Sequence, residues 1–458
     1  MSGLPSGNRD SFSSKFGVIA AAAGSAVGLG NIWRFPLVTT QNGGGAFLLL
    51  YVGFIIFIGV PVMLSEFSIG RRAQLNAFGS FKKLAPKTPW FMVGFLGIVT
   101  AFAILAFYST VAGWTLEYFV QAVSGKLFVV EDMEKNFADF STHAYRPVIW
   151  QLVFMVLTAL VVYAGIKKGI EKFTKILMPI LVVLIIFVVI RAVTLKGAGE
   201  GIKYLFIPDW GAVNFKTVLM ALGQAAFSLS IGMGTLITYG SYIRKDNNLL
   251  KTSAQVALAD TGIAILSSLM VIPAIFAFST GSIGEISPGP GLVFEVLPNV
   301  FKSMPGGKSF SIIFFFLLSV AALTSTISVL EVVVAYMKEE LNFTRGKATL
   351  IASVSISVLG VLATLSFGVL SNVSILGQTI FGLLNYASAN IMLTFGALLI
   401  VVFVGWRIGK SDFIEEISNK GTLESGLFKI VFFIIRYIAP VAIGTIAVAA
   451  LFIEGLTG

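Results

Sequence analysis

Gly24-Ser25-Ala26-Val27-Gly28-Leu29-Gly30-Asn31 and Phe227-Ser228-Leu229-Ser230-Ile231-Gly232-Met233-Gly234-Thr235 are the two stretches that decide the fold. Each places a Gly-x-Gly pair beside small polar residues in the middle of a long apolar segment. A glycine costs about 1 kcal/mol of helix propensity relative to alanine, so two close together favour local unwinding. Close packing of membrane helices also uses small residues. Two such stretches in corresponding positions, five segments apart, nevertheless favour an inverted repeat with discontinuous helices.

The segments that carry these stretches belong to a larger apolar set. The chain has 458 residues, of which 56% are hydrophobic and 12% charged, and its mean hydropathy is +0.92. Soluble domains carry about 25% charged residues, whereas a membrane helix needs about 20 mostly apolar ones. The sequence therefore predicts an all-α polytopic membrane protein with eleven transmembrane segments. We number them 1 to 11: 15–38, 45–69, 90–123, 146–165, 172–194, 214–242, 252–279, 309–340, 347–366, 372–404 and 427–455.

The charged residues between these segments predict the topology. Lysine and arginine are concentrated after the even-numbered segments, as in residues 71–87 and 167–175, whereas the loop after segment 3 is acidic. Because basic loops stay in the cytoplasm, we expect a cytoplasmic N-terminus and, with eleven spans, an extracellular C-terminus. The net charge of +10 therefore reflects topology and does not indicate a nucleic-acid-binding face.

The composition also argues against an enzyme. The chain has one histidine and no cysteine, which makes a transition-metal enzyme or a thiolate metal site improbable on ligand chemistry. No Ser-His-Asp arrangement and no acidic metal-binding pattern is recognisable in the sequence. We therefore predict a membrane protein without catalytic activity.

A break in mid-membrane has chemical consequences. It exposes backbone N–H and C=O groups that lipid cannot satisfy, so the site must hold ligand, ions or water. The N–H groups at a half-helix N-terminus attract a carboxylate, and the free carbonyls suit a hard cation such as sodium. An amino acid zwitterion bound beside sodium matches both requirements, and the opposite charges then cancel away from water.

Ionisable residues inside the segments are few, and such residues are usually functional. Arg34 follows the first break and Asp260 lies in segment 7, and we select these two as site candidates. We interpret Glu66 as an interfacial partner of the nearby Arg71 and Arg72. The role of Glu331 in segment 8 stays open.

The first stretch continues as Ile32-Trp33-Arg34-Phe35-Pro36 and is followed by Asn42-Gly43-Gly44-Gly45-Ala46-Phe47. Together with Gly223-Gln224, Ser241-Tyr242 and Leu323-Thr324-Ser325, this sequence resembles the neurotransmitter:sodium symporters over residues 9–405. It is similar to bacterial eleven-helix members that transport hydrophobic amino acids. The resemblance implies one transporter domain over residues 1–458, located in the bacterial plasma membrane. Its parts would be inverted repeats 9–196 and 210–405, with broken helices 1 and 6, and an extra helix at 427–455.

The resemblance also implies two sodium sites and one substrate site between the breaks. The first sodium site would use Ala26, Asn31, Ser228, Asp260 and the substrate carboxylate. The second would use the carbonyls of Gly24, Val27 and Ala321 and the hydroxyls of Thr324 and Ser325. The substrate carboxylate would contact the N–H groups of Leu29 and Gly30 and the Tyr108 hydroxyl, and its amine the carbonyls near Ala26, Phe227 and Ser228 and the Ser230 hydroxyl. The side-chain pocket would contain Ile104, Tyr108, Phe227, Met233, Ser325 and Val329.

Two departures from the family pattern bear on specificity. Monoamine transporters commonly carry an aspartate at or near the position of Gly28, and without it a substrate with its own carboxylate and an apolar or aromatic side chain is expected. Chloride-dependent members hold chloride with four residues, of which Tyr51, Gln224 and Ser228 match three and Ala264 does not. Asp260 would supply the missing negative charge, so the resemblance implies chloride independence.

The gates complete the expected transporter. The resemblance pairs Arg34 with Asn385 as an outer gate, where the family commonly has an aspartate, and Arg9 with Glu339 near Tyr242 as an inner gate. Together these features predict a sodium-coupled symporter for an amino acid. Two alternatives stay open: proton coupling through Asp260, and a cation channel in which the Gly-x-Gly stretches form a filter.

Overall fold

The computed structural model describes residues 10–278 and 291–452, and within them the chain is helical except for turns, loops and isolated bridges. Nine helices of the described part are long and apolar enough to cross a membrane. They correspond to segments 2 to 5 and 7 to 11: Gly45–Ala73, Phe91–Ser124, Arg146–Tyr163, Ile166–Val193, Leu249–Ala277, Gly307–Glu340, Arg345–Leu365, Ile380–Ile408 and Leu427–Ala449.

Segments 1 and 6 are the broken ones. Segment 1 consists of Lys15–Ala26 and Gly30–Gln41, which are bent by 57° at the break. Segment 6 consists of Phe215–Ser228 and Thr235–Gly240, separated by the non-helical residues 229–234. Both breaks fall where the glycine pairs predict them, and the arrangement is consistent with eleven segments.

Left-handed backbone explains the second break. Ser230, Gly232 and Gly234 have φ angles of 54°, 93° and 75°, a region that glycine enters without a steric penalty. A Cβ at Gly232 would collide with the carbonyl oxygen of Leu393 in segment 10. A glycine is therefore required there both by the backbone conformation and by the neighbouring helix.

Segment 10 begins later than predicted, at Ile380 instead of residue 372. Leu376 and Gly377 have φ angles of 55° and 79°, which no helix accommodates. The Thr379 side chain then accepts a hydrogen bond from the Gly382 N–H and caps the new helix. The hydropathy of residues 372–379 suggested a longer span because hydropathy does not register turns.

Segments 3 and 8 lie side by side at the centre of the molecule. In the most apolar part of segment 8, 72% of residues are buried, against 33% in segment 5. Hydroxyl pairs join segment 8 to its neighbours: Thr115 with Ser319 at 3.0 Å and Thr158 with Thr326 at 2.9 Å. Such pairs are a common contact between membrane helices. Central segments 3 and 8 thus provide a scaffold beside both breaks.

Shorter helices lie between the spans. They are Ala77–Leu84, Lys126–Val129, Met133–Ser141, Ala198–Phe206, Leu297–Ser303 and Lys410–Ile417, with a 3₁₀ turn at Trp210–Ala212 and a π-helical stretch at Leu292–Val296.

Candidate functional site

The two breaks meet in the interior of the molecule. The Ser25 carbonyl of the first break accepts hydrogen bonds from Ser230 in the second, at 3.1 Å, and from Ser325 in segment 8, at 3.4 Å. A Cβ added at Gly28 would lie 2.9 Å from the Tyr108 hydroxyl oxygen in segment 3. Residues predicted from four separate segments therefore surround one small region.

A buried polar cluster joins segments 1, 6 and 7. The Asn31 amide donates to Asp260 Oδ1 at 2.7 Å and to the Ser228 hydroxyl at 3.2 Å, and Ser228 donates to Asp260 Oδ2 at 2.7 Å. Ala26 ends the first half-helix close by in sequence. Asp260 has no exposed surface, and a buried carboxylate requires compensation by partners or a cation. Carboxylate, amide and hydroxyl oxygens are suitable ligands for a hard cation such as sodium.

Tyr51 in segment 2 adds to this cluster. Its hydroxyl lies 3.1 Å from Ser228 Oγ and donates to Asp260 Oδ2 at 3.2 Å. Ala264 is buried one helical turn after Asp260 and has no polar group to offer. The negative charge at this point of the site therefore belongs to the Asp260 carboxylate.

The residues of the expected second sodium site also lie close together. A Cβ added at Gly24 would lie 3.3 Å from the Thr324 Cβ and 3.5 Å from Met178 Sδ and Thr174 Cγ2, so segments 1, 5 and 8 meet here. The Thr324 hydroxyl donates to the Ala321 carbonyl of its own helix at 2.9 Å. Val27 ends the first half-helix with extended backbone, which directs its carbonyl out of the helix.

The expected substrate site lies at the start of the second half of segment 1. The Leu29 N–H donates to the Tyr108 hydroxyl at 2.9 Å. A Cβ at Gly30 would lie 3.0 Å from the Phe227 ring, so this ring lies directly over the break. Three further predicted residues are also buried: Ile104 one turn before Tyr108, Met233 between the two left-handed glycines, and Val329 one turn after Ser325.

Arg34 closes one side of this region. Its guanidinium donates to the Gln224 side chain and lies 5.0 Å from the centre of the Phe227 ring. Asn385 stands at the end of the first helix of segment 10. In the described part of the chain no hydrogen bond joins Arg34 to Asn385, and this gate stays a prediction.

Several contacts also join Tyr242, Glu331 and Glu339, the region of the predicted inner gate, to neighbouring helices. The Tyr242 hydroxyl donates to Glu331 at 2.8 Å, and Glu331 also forms a buried ion pair with Arg345 at 2.5 Å. Glu331, whose role the sequence left open, is thus the centre of a charged network. Glu339 accepts from the backbone and side chain of Asn76, at 2.7 and 3.0 Å.

Arg9, the other half of the predicted inner gate, lies outside the described residues. That gate stays a prediction.

The interpretation of Glu66 as an interfacial partner is wrong. Its carboxylate is fully buried and accepts from the Gly232 N–H in the second break at 2.6 Å. Arg71 pairs instead with Glu416, and Arg72 with Asp412. The reason is helical geometry, because residues five apart do not share a helix face in the way that those three or four apart do.

Glu171 is a site residue that the sequence analysis missed. It accepts from the Ser13 N–H at 2.7 Å, from the Ser13 hydroxyl at 2.6 Å and from the Ser14 hydroxyl at 3.1 Å. It thereby ties the start of segment 1 to segment 5, which is helical through Pro179. A single acid among the basic residues 167–175 was the available signal.

Broken helices that meet around a buried polar cluster define the class of secondary transporters with discontinuous helices. The model of the Sodium:neurotransmitter symporter family matches residues 9–132 and 129–454, and the chain belongs to this family. Membership makes it a sodium-dependent membrane transporter and not an enzyme.

Similar proteins agree with this assignment. The chain is 40% identical to the uncharacterized sodium-dependent transporter YhdH of Bacillus subtilis, over 94% of this chain and 95% of that protein. It is 37% identical to an uncharacterized sodium-dependent transporter of Haemophilus influenzae, over 97% and 98%. A crystal structure of MhsT in complex with L-phenylalanine matches with a TM-score of 0.88 and 44% identity, covering 97% of this chain and all of MhsT. The predicted fold class is confirmed.

Proposed function

We propose that the protein imports a small apolar or aromatic amino acid together with sodium, by alternating access across the bacterial plasma membrane. The observation that carries this proposal is the buried Asn31–Ser228–Asp260 cluster beside the break in segment 1. Sodium at the cluster and a substrate carboxylate at the Leu29 and Gly30 N–H groups would neutralise one another in a dry site. Substrate then completes the sodium site, which couples the two.

The substrate class follows from what surrounds the break. The Phe227 ring, Ile104, Met233 and Val329 offer an apolar surface, and Met233 can adapt to side chains of different shape. Gly28 has no side-chain carboxylate, so this position offers no partner for an amine on a substrate that lacks its own carboxylate. MhsT, which is similar over its whole length, has been crystallised with L-phenylalanine, and this supports an apolar or aromatic substrate.

Contacts between segments support a rocking motion. Asn31 with Asp260 ties segment 1 to segment 7, and Glu66 with Gly232 ties segment 2 to segment 6. Segments 1, 2, 6 and 7 would therefore move as one bundle against segments 3 and 8. On the inner side, opening requires release of Ser13 from Glu171. A second sodium between Gly24 and Thr324 would hold segment 1 against segments 5 and 8 until it leaves.

Chloride independence is part of the proposal. The Tyr51 and Ser228 hydroxyls both lie within hydrogen-bonding distance of Asp260 Oδ2, at 3.2 and 2.7 Å. A fixed carboxylate in this position repels a chloride ion and supplies the charge that chloride would otherwise bring. Replacing chloride with gluconate should therefore leave uptake unchanged.

The test is uptake of radiolabelled phenylalanine, leucine and tryptophan into proteoliposomes under an inward sodium gradient, with potassium as the control cation. Sodium-dependent accumulation of one or more of the three supports the proposal. No accumulation in sodium by folded protein would remove the substrate claim. Accumulation driven by a proton gradient without sodium would favour proton coupling, and current far above the substrate flux would favour a channel.

The orientation of the chain is tested separately. Because the protein has no cysteine, a cysteine introduced at Lys347 or Asp139 can be labelled alone with a membrane-impermeant maleimide. We expect Lys347 to react from the cytoplasmic side and Asp139 from the outside of cells, and the reverse pattern would overturn the predicted topology.

A further inference from the structure

Arg436 lies within segment 11, nine positions beyond its first residue Leu427. At 1.5 Å of rise per residue this places its Cα about 13 Å along the helix. A charged side chain at such a depth is costly and indicates a function or a specific partner. None of the sodium, substrate or gate contacts described above involves it.

The backbone around Arg436 is irregular, and the irregularity brings it close to segment 10. Pro440 has no N–H to donate to the Arg436 carbonyl, and the Ala439 N–H bonds to the Ile434 carbonyl, so residues Ile434–Ile438 are π-helical. Segment 10 has a similar stretch at Phe403–Ile408. A Cβ added at Gly405 would lie 3.1 Å from the Arg436 Cα, so a glycine permits this close approach.

The guanidinium of Arg436 lies in an aromatic corner. It is 5.8 Å from the centre of the Trp406 ring and 5.5 Å from that of Tyr437. The two rings are half exposed, 49% and 51%, and nearly perpendicular to each other. The rings stabilise the cation through their π faces. They do not, however, accept hydrogen bonds from the guanidinium N–H groups as the oxygens of an anion would.

Among the described residues, Arg436 finds no acceptor for these N–H groups. Its Nε is buried without a hydrogen-bond partner. No ion pair or side-chain hydrogen bond of Arg436 occurs in residues 10–278 and 291–452. A buried donor without a partner is uncommon, and the usual explanation is a ligand or water that the protein chain does not supply.

Of the four acids between segments 10 and 11, Asp412, Glu415 and Glu416 are engaged elsewhere, and Glu424 is exposed and forms no ion pair with Arg436 within the described chain. Glu416 pairs with Arg71 at 2.5 Å and contacts Lys245 at 3.4 Å, and Asp412 pairs with Arg72 at 2.9 Å. These pairs lie between the helix Lys410–Ile417 and segment 2. Three of these four carboxylates thus contact the arginines of segment 2, and within the described chain none pairs with Arg436.

The same end of segments 10 and 11 carries further basic residues. Arg407, Lys410 and Lys429 are exposed, and none forms an ion pair within the described chain. Arg407 directly follows Trp406, and Lys429 lies about two helical turns before Arg436. We call Arg407, Lys410, Lys429 and Arg436 the basic rim. By the distribution of basic loops, this end faces the cytoplasm, where the membrane surface is negatively charged.

We propose that Arg436 binds the phosphate of an anionic phospholipid in the cytoplasmic leaflet, with Trp406 and Tyr437 flanking the headgroup. A guanidinium binds phosphate through two parallel hydrogen bonds. Helical side chains tilt toward the N-terminus of their helix, here toward the cytoplasmic end where headgroups lie. Exposed Phe433 and Val441 on the same helix offer apolar surface for the acyl chains.

Two other occupants fit the observations less well. A second copy of the chain would bring its own Arg436 and basic rim, and like charges would meet across the interface. A soluble anion would satisfy the guanidinium but leave the exposed aromatic and aliphatic side chains uncovered. Both become outcomes of the test.

The experiment is native mass spectrometry of the purified full-length protein in detergent, titrated with phosphatidylglycerol or with phosphatidylcholine of the same acyl chains. We expect the wild type to bind phosphatidylglycerol about tenfold more tightly, a preference that needs only one specific charged contact. Arg436→Gln should reduce the preference to about twofold or less, because the headgroup contact is lost. Lys167→Gln, which removes an exposed charge at another basic loop, should keep it. Soluble glycerol phosphate should not compete.

Several results would overturn the proposal. One is equal binding of the two lipids by the wild type, and another is an unchanged preference in Arg436→Gln. A dimer that Arg436→Gln dissociates without loss of lipid would assign the surface to a second copy, and competition by glycerol phosphate would assign it to a soluble anion. If Arg436→Gln aggregates, Arg436→Lys decides: it keeps the charge but loses the planar fork, so the preference should fall severalfold, and an unchanged preference contradicts the proposal.

Discussion

Replacing Asp260 by asparagine tests the proposed first sodium site most directly. The substitution preserves shape and removes one buried negative charge. Asp260 accepts from Asn31 and Ser228 at 2.7 Å each and from Tyr51 at 3.2 Å, so neighbouring groups hold it in place with or without sodium. A cation about 4 Å from this charge gains about 4 kcal/mol at an effective dielectric constant near 20. Asparagine retains a carbonyl ligand and loses most of that attraction.

We therefore expect Asp260→Asn to weaken sodium binding by about 2–4 kcal/mol, or about 30- to 1,000-fold. The assay is the sodium concentration for half-maximal amino acid uptake in proteoliposomes. The matched control is Asp139→Asn, an exposed aspartate between segments 3 and 4 whose side chain forms no hydrogen bond in the described chain. The control should show the sodium dependence of the wild type.

An unchanged sodium dependence in Asp260→Asn would refute the assignment of this carboxylate to the sodium site. A further variant asks whether charge alone matters. Asp260→Asn combined with Ala264→Ser restores the hydroxyl that the chloride-binding pattern lacks. We expect this double variant to regain uptake when chloride is present and to lose it in gluconate. Equal uptake in chloride and gluconate would contradict the role proposed for the Asp260 charge.

Three more predictions concern contacts around the site. Tyr108→Phe removes the hydroxyl that is proposed to donate to the substrate carboxylate. A hydrogen bond to a charged group is worth about 1.5–3 kcal/mol, so the KM for the amino acid should rise about 10- to 150-fold; an unchanged KM would contradict the substrate site. Arg345→Met leaves the buried Glu331 unpaired and should lower the free energy of unfolding by about 3–5 kcal/mol, seen as a large drop in Tm that the added substitution Glu331→Leu largely reverses. Glu171→Gln weakens the tie between the start of segment 1 and segment 5, so a cysteine introduced at Thr174 should react about tenfold faster with a maleimide from the cytoplasmic side; equal rates would show that this tie does not hold the inner side closed.

Part of the site was predictable because its signals are local. The glycine pairs predicted both breaks, since glycine weakens a helix wherever it stands, and the structure breaks segments 1 and 6 at those positions. Asp260 was selected because a charge inside an apolar segment is rare. Its partners Asn31 and Ser228 came from the resemblance to the family and not from composition or spacing.

The misses share one physical cause. Glu66 was assigned to the arginines that follow it in the sequence, but it lies against Gly232 in another segment. Glu171 was not selected as a candidate, although it holds the start of segment 1. Segment 10 was begun too early because apolar Val373, Ile375 and Leu376 precede the helix but lie in turns. In each case the prediction relied on proximity along the chain or on hydropathy. Neither of these shows which face of a helix packs against which neighbouring helix.

By itself the sequence determined that the chain crosses a membrane many times, where two helices break, and that few charges lie within the spans. These are local properties, set by hydropathy over about 20 residues and by backbone propensity. Only the tertiary structure decided the pairing of charges: Arg34 with Gln224, Glu331 with Arg345, and Arg436 without an acid or other hydrogen-bond acceptor in the described chain. The reason is that a buried charge takes the partner that helix packing brings to it, and packing joins residues hundreds of positions apart.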